Sequence, residues 1–327
     1  MRLLFAFRKD GATWGYAAAT RALGGEARKM LPDEVLAATG YDAIIIDVAM
    51  AKCTPDFAHC KTPLIMTDDL DGSQLGDRKF IQWPSIKAVL KRSCLTPASR
   101  NNELQGRYHV HILKQHGVKA VRPTSQGKPD IILTDAELAK VYPLAGFGSH
   151  KEMTGVLRHD PELDAPRIHD AHFSGTTSYG RSEVQAHRIA AFEAVANWQG
   201  GEVVAHRNRV MPIGLYYGTM RKSRTVLSPW GWGETAYRDF GAMLTGAVLI
   251  KSDVSHIATW PEDTFTPGET YLPCKPMWEN AHELIAKVKR DWLQMRPLRE
   301  RAFAVAKRAN NPAAMAARLK EILTEVL

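Results

Sequence analysis

Cysteine is scarce in this chain: four residues in 327, Cys53, Cys60, Cys94 and Cys274, with no Cys-x-x-Cys pair among them. That spacing excludes a disulfide frame and a cysteine zinc site, and it predicts reduced thiols in a cytoplasmic protein, in the host cytoplasm if a virus encodes it. Long apolar runs are lacking too, so no transmembrane segment is expected. The opening Met1-Arg-Leu-Leu-Phe-Ala-Phe7 is too short for a signal-peptide core and meets Arg8-Lys9-Asp10 at once, which makes it a first strand. Two enzyme signatures are absent. The chain has no phosphate-binding Gly-x-x-x-x-Gly-Lys-Ser/Thr loop, and Gly146-Phe-Gly-Ser-His150 carries its serine one place off a nucleophile elbow.

What is present is a globular composition, 45% apolar and 24% charged, in a chain long enough for two domains with their own cores. Strands and helices alternate. Leu3–Phe7, Ala43–Val48, Pro63–Met66, Lys119–Arg122 and Ile131–Thr134 are short apolar runs suited to a buried parallel sheet, with helices predicted over Gly15–Leu23 and Asp33–Thr39. The polar, proline-bearing Leu157–Arg167 reads as a linker. A second strand series follows at His172–Ser174, Glu202–His206, Thr225–Leu227 and Ala247–Ile250, and then helices over Asn280–Lys289 and Ala313–Leu327. The fold class is therefore α/β, two Rossmann-like domains facing a cleft with C-terminal helices, divided as residues 1–160 and 161–327. Ligands of such sheets bind at the strand C-termini.

The most informative stretch is Ser228-Pro-Trp-Gly-Trp-Gly-Glu-Thr-Ala-Tyr-Arg-Asp-Phe-Gly-Ala-Met-Leu-Thr-Gly-Ala-Val-Leu-Ile-Lys-Ser-Asp253. It reads as strand, glycine loop, helix from Thr235 to Leu244, glycine turn and strand, a βαβ unit. Gly231 and Gly233 let backbone N–H groups approach a phosphate, and the helix N-terminus favours negative charge. Glu234 and Arg238, four residues apart, are expected on one side of the helix. Arg238 sits among Tyr237, Phe240, Ala242, Met243 and Leu244, where a guanidinium calls for an anionic partner.

This stretch resembles the C-terminal half of GT-B glycosyltransferases of the family 1 or family 4 type. The likeness continues through Ser255-His256, Thr259-Trp-Pro261 and Pro267-Gly-Glu-Thr-Tyr271 and covers about residues 170–285. Phe173-Ser-Gly-Thr-Thr-Ser-Tyr179 resembles the first strand and loop of the donor domain, and Tyr216–Ser228 the segment leading into the motif. The resemblance implies transfer of a sugar from a UDP- or GDP-sugar co-substrate to an acceptor hydroxyl, with no bound cofactor and no catalytic metal. In that family a terminal helix often crosses back to the first domain, while the pattern alone fits a helix that caps the second domain equally well. On this reading the donor contacts are Gly175, Thr176, Gly233, Glu234, Arg238 and Lys251. The candidate bases lie after N-terminal strands: Asp10, Asp68 and Asp69. One departure stands out. Where the family places an acid that grips the ribose, this chain has Gly241, so that work falls to Glu234 or Asp239, or donor binding leans on Arg238 and Lys251.

Charge marks the acceptor side. Between Lys87 and Lys128 stand nine basic residues and a single acid, Glu103, an excess equal to the whole chain's formal +8. A basic face there suits a polyanionic acceptor, with Lys87, Lys91, Arg92, Arg107, His109 and His111 as contacts. Two acceptors stay open: DNA with hydroxymethylated bases, flipped into the cleft, and a cell-surface or lipid-linked glycan assembled in peripheral contact with an anionic membrane. Two rival functions stay open as well. His109-Val-His111, read as a strand, projects both rings to one face as a metal hydrolase would, although His116, His150, His169 and His172 supply no recognisable further ligands. A nucleic-acid-binding protein that has lost transfer is the other rival, and Gly241 is the feature that supports it.

Overall fold

An all-apolar run ending at a charge, Leu3–Phe7 before Arg8, forms β1, buried at Leu3, Leu4, Phe5 and Ala6. The computed structural model describes residues 1–8, 14–68, 78–96, 108–118, 134–144, 156, 160–180, 182–209 and 211–327, without the side chains of Trp14 and Arg78. After β1 come α1 (Trp14–Ala22), β2 (Glu26–Lys29), α2 (Pro32–Leu36), β3 (Ala43–Asp47), α3 (Val48–Ala51), β4 (Leu64–Asp68), β5 (Ile86–Lys91), β6 (Ser93–Leu95), α4 (Tyr108–Gln115), α5 (Asp135–Leu138) and β7 (Val141–Pro143). Six of these strands make a sheet in the order β2-β1-β3-β4-β5-β7, every pair parallel. The predicted strand at Lys119–Arg122 and all but Thr134 of the one at Ile131–Thr134 lie outside the described residues.

The second series begins with β8 (His169–Gly175) and runs through α6 (Ser182–Ala196), β9 (Val203–Arg207), α7 (Ile213–Arg221), β10 (Ser223–Leu227), α8 (Tyr237–Leu244), β11 (Val248–Ser252), β12 (Ile257–Thr259) and β13 (Leu272–Cys274). Its parallel sheet has the order β13-β11-β10-β8-β9. Three helices close the chain: α9 (Ala281–Arg290), α10 (Arg296–Ala309) and α11 (Pro312–Val326).

Two sheets of one chain bury their faces separately and are then tied together. The terminal helix α11 places Met315, Leu319, Ile322 and Leu323 against Leu3, Phe5 and Tyr16 of the first half, the periodic apolar stripe finding a sheet face that its own half does not supply. β6 pairs antiparallel with β12, so the first half contributes a strand beside the second. Helix α4 sends Leu113 into the core that also holds Met220, Trp230 and Phe240. The segment expected to be a linker is anchored where it is described. Arg167 is buried, donates to the Thr245 carbonyl at 3.1 Å and to that of Arg221, and lies over the Trp292 ring.

Several local expectations are corrected here. His109 and His111 are on a helix, not a strand, because Val110 and Leu113 follow helical spacing into the core. Residues two apart on a helix point away from each other, so His109 is buried and His111 only partly so, and the shared face required of a metal pair does not exist. Helix α8 starts at Tyr237, two residues later than expected, because the Asp239 carboxylate accepts the Ala236 N–H at 2.9 Å and fixes the start there. Glu234 is thereby left in the loop and shares no helix face with Arg238.

Candidate functional site

The carboxyl ends of β8 and β10 carry the two loops that the sequence marked, residues 176–180 and 228–236. Two guanidiniums meet between them. Arg238, in the first turn of α8, donates from Nη2 to the Ser174 carbonyl (2.9 Å) and from Nε to Tyr216 Oη (3.3 Å), with its carbon centre 5.2 Å from the Phe173 ring. Its Nη1 is buried with no hydrogen-bond partner among the described residues. Arg188, from α6, donates from Nε to the Thr176 carbonyl (2.5 Å) and from Nη1 to the carbonyls of Trp230 (3.2 Å) and Pro229 (3.5 Å).

Among the described residues neither arginine forms an ion pair with a carboxylate. Burial, with the Arg238 charge adding to it, pulls the Arg188 guanidinium down to about 10. Both converge on Gly175, where a Cβ would lie 3.0 Å from Arg188 Nη2 and would overlap Arg238 Nη2. A side chain at that position would therefore displace the cations. Two desolvated like charges whose partners are neutral carbonyl and hydroxyl oxygens are stabilised by an anion placed between them.

The acid expected beside Arg238 is engaged elsewhere. Glu234 is fully buried, with Oε1 3.4 Å from His109 Nδ1 and 3.6 Å from His256 Nε2, ion-pair distances that join the loop to α4 of the first half. Burial pushes its carboxyl up, but the His109 and His256 imidazoles outweigh burial and hold it well below the usual carboxylate range. Next to it Trp230 packs edge-on against His109 and His256, with ring centroids 6.1 and 6.2 Å away. His187 anchors the same tryptophan from behind. Its Nδ1–H donates to the Pro276 carbonyl (2.6 Å) and its Nε2 accepts the Trp230 backbone N–H (3.1 Å), an arrangement that only the neutral ring supports.

Lys251, next to last on β11, is fully buried with Nζ 3.0 Å from Asp239 Oδ2, because a buried ammonium must keep a carboxylate beside it. Asp239 is occupied by that pair and by the helix start. The first half repeats the theme: Asp68, at the end of β4, has Oδ2 3.5 Å from Lys91 Nζ, both side chains buried. Lys91 and Arg92 therefore do not belong to a solvated basic face. β5 carries Lys91 into the sheet, and Arg92 is buried with its guanidinium 5.6 Å from the Tyr237 ring. Lys87 is exposed, and Lys114 lies 3.8 Å from Glu183. Asp10, Asp69 and Arg107 lie outside the described residues.

Of the expected donor residues the structure brings together Gly175, Thr176 and Arg238. Thr176 is exposed and presents its carbonyl to Arg188, whereas Gly233 is buried and its carbonyl accepts the Gly231 N–H at 3.0 Å. Arg188 is the participant the sequence reasoning missed. Its signal was there: it falls on the apolar stripe of Val184, Ala191 and Val195, where a cation has no structural reason to be. Among the described residues no group of three or more His, Cys, Asp or Glu side chains is placed to hold a metal ion.

Two parallel sheets wound in the Rossmann manner, joined by a terminal helix that returns to the first, define the GT-B glycosyltransferase fold. No family model matches the sequence, and no curated protein matches it. Solved structures do share the fold. Alr3699/HepE from Anabaena, in complex with UDP and glucose, is similar with a TM-score of 0.53 at 11% identity, over 99% of each chain. An α-glucosyltransferase in complex with UDP-glucose and DNA containing an abasic site gives 0.52 at 10% identity, again over 99% of each chain. A glycosyltransferase from Rickettsia africae gives 0.50 at 11% identity over 99% of this chain and 98% of its own.

Proposed function

We propose that this protein transfers a sugar from a nucleotide-activated donor to an acceptor hydroxyl, and that the donor's diphosphate sits over Gly175 between Arg188 and Arg238. The observation that carries this is the pair of buried guanidiniums that meet no carboxylate among the described residues, at the strand ends where α/β sheets bind ligands. A departing nucleoside diphosphate gains charge as its bond to the sugar breaks. Fixed donors aimed at that charge in a water-poor site are worth far more than the same groups in water. Arg238 Nη1 is such a donor, already desolvated.

Residues 161–327 supply the donor side on this reading, and residues 1–160 receive the acceptor. For the proton leaving the acceptor hydroxyl, Asp68 is the candidate among the described residues, and Asp10 and Asp69 are the other two that the sequence offers. A hydroxymethylated-base DNA acceptor is supported by the fold shared with an α-glucosyltransferase crystallised with DNA. The burial of Lys91 and Arg92 removes two of the cations that favoured any polyanion, so a glycan acceptor stands beside it.

The experiment is release of nucleoside diphosphate from UDP- and GDP-sugars, with and without hydroxymethylated DNA, by wild type and Arg238→Ala. Turnover that the substitution removes supports the reading, and stimulation by DNA with sugar recovered on it assigns the acceptor. Absence of binding and turnover with every donor would sink the proposal and return the chain to a binding role.

A further inference from the structure

Two aromatic rings stand at the mouth of the anion site, and the diphosphate cradle does not use them. Tyr179, on the loop after β8, and Trp232, on the glycine loop after β10, have centroids 5.3 Å apart at 50°. Trp232 is 47% exposed in a loop whose other tryptophan, Trp230, is fully buried. The loop around it is largely covered: Ser228, Gly233, Glu234 and Thr235 are all buried.

The pair is also held in place. Arg188 lies 4.9 Å from the Tyr179 ring centroid, and the Tyr179 N–H donates to Gln185 Oε1 at 3.3 Å. Two glycines lie against the pair: a Cβ at Gly231 would come 3.2 Å from Tyr179 Oη, and one at Gly180 would come 4.0 Å from Trp232. The same guanidinium that closes one side of the Gly175 anion site therefore forms the back of the aromatic pair.

We propose that Tyr179 and Trp232 form a stacking subsite for the hexose ring of the nucleotide-sugar donor. The inference rests on the nucleotide-sugar reading above and adds where the transferred group lies. Covalent connectivity selects the hexose. In a nucleotide sugar the hexose is separated from its phosphorus by a single bridging oxygen, whereas the nucleobase is separated from its own phosphate by the whole ribose. Rings in contact with the phosphate-side guanidinium are therefore within reach of the hexose, whose C–H face packs on an aromatic surface, while its hydroxyls stay at the edge.

The test compares ligands that differ only by the hexose. UDP and UDP-glucose, and in parallel GDP and GDP-mannose, are titrated calorimetrically into wild type, Trp232→Ala and Trp232→Phe. Trp232 is half exposed, so truncation leaves the core intact, and the phenylalanine variant keeps a ring. The expected result is that Trp232→Ala weakens the nucleotide sugar by about tenfold, leaves the nucleoside diphosphate unchanged, and is largely rescued by Trp232→Phe. Equal weakening of both ligands would overturn the proposal in favour of a nucleobase contact, and loss of neither would overturn it outright. Wild type that binds no nucleoside diphosphate would instead show that the underlying reading is wrong, an outcome separable from the other two.

Discussion

Asp239 and Lys251 form an ion pair sealed inside the C-terminal half, Oδ2 to Nζ 3.0 Å, with neither side chain exposed. Burial pulls the Lys251 ammonium down from its usual range and Asp239 pulls it back up. Breaking such a pair from one side leaves a buried charge without its partner, which costs about 3–5 kcal/mol, whereas an apolar replacement of both is far milder. Lys251→Met is therefore expected to lower stability in urea denaturation by that amount, and Lys251→Met with Asp239→Leu by less. A single variant within about 1 kcal/mol of wild type would contradict the buried pair.

Arg238 has the opposite profile. It holds one backbone bond and a tyrosine contact, its Nη1 is unpartnered, and Arg188 adds repulsion across Gly175. Arg238→Ala is expected to weaken nucleoside diphosphate binding by about 10- to 100-fold, the worth of a charge-assisted hydrogen bond, with little change in melting temperature. Gly175→Ala should weaken binding as well, by moving the guanidinium while leaving its charge in place. Normal affinity in Gly175→Ala would place the anion elsewhere.

Acid should destabilise the fold well before the carboxylates titrate. Burial holds His172 and His187 down to about 3, and nearby charges deepen the shift for His172. Their unfolded counterparts take up protons near 6.5, so between 6.5 and about 3 the unfolded chain binds more protons and stability falls with falling pH. Each histidine contributes about 1.4 kcal/mol per pH unit in that window. Glu234 acts in the same direction but lower down, since its depressed carboxyl contributes stability that is lost only below the unfolded value near 4.3. Urea midpoints at pH 7.5, 6 and 5 should therefore drop steadily, and His187→Gln should reduce the slope. A flat profile across that window would mean that both rings are accessible to protons in the native state.

Periodicity and glycine placement made the alternation of strands and helices legible, down to the α11 stripe and the motif at 228–253. What failed was the reading of isolated polar residues. Lys91 reads as surface charge because sequence alone does not reveal that Asp68 waits on the next strand, and β5 was overlooked because Lys87 and Lys91 break its apolar run. His109 reads as half of a strand pair because His-x-His matches a strand's period of two, whereas Val110 and Leu113 bury at helical spacing and select the helix. Arg238 is legible because Tyr237, Phe240, Ala242, Met243 and Leu244 stand close to it in a motif already singled out, whereas Arg188 becomes conspicuous only once Val184, Ala191 and Val195 are placed on the same helix stripe.

Gly241 ties that lesson to a measurable coupling. On propensity alone, glycine to alanine in a helix stabilises by about 1 kcal/mol. Here a Cβ would lie 2.8 Å from Tyr217 Cε1 and 3.4 Å from Met220 Sδ, because α7 packs directly on α8 at this point. Overpacking of a buried contact costs about 1–3 kcal/mol, so the steric effect cancels or exceeds the propensity gain. Gly241→Ala is expected to be neutral to destabilising, and Gly241→Glu strongly destabilising, since its carboxylate would enter the core that holds Phe240 and Met243. In Tyr217→Ala the space opens, and Gly241→Ala should then be stabilising, so the double-mutant cycle has a favourable coupling term. Additive effects would mean that Tyr217 does not fill the space. Coupling would establish that the ring occupies the room an acid at 241 would need, so that any grip on a ribose in this protein comes from another residue.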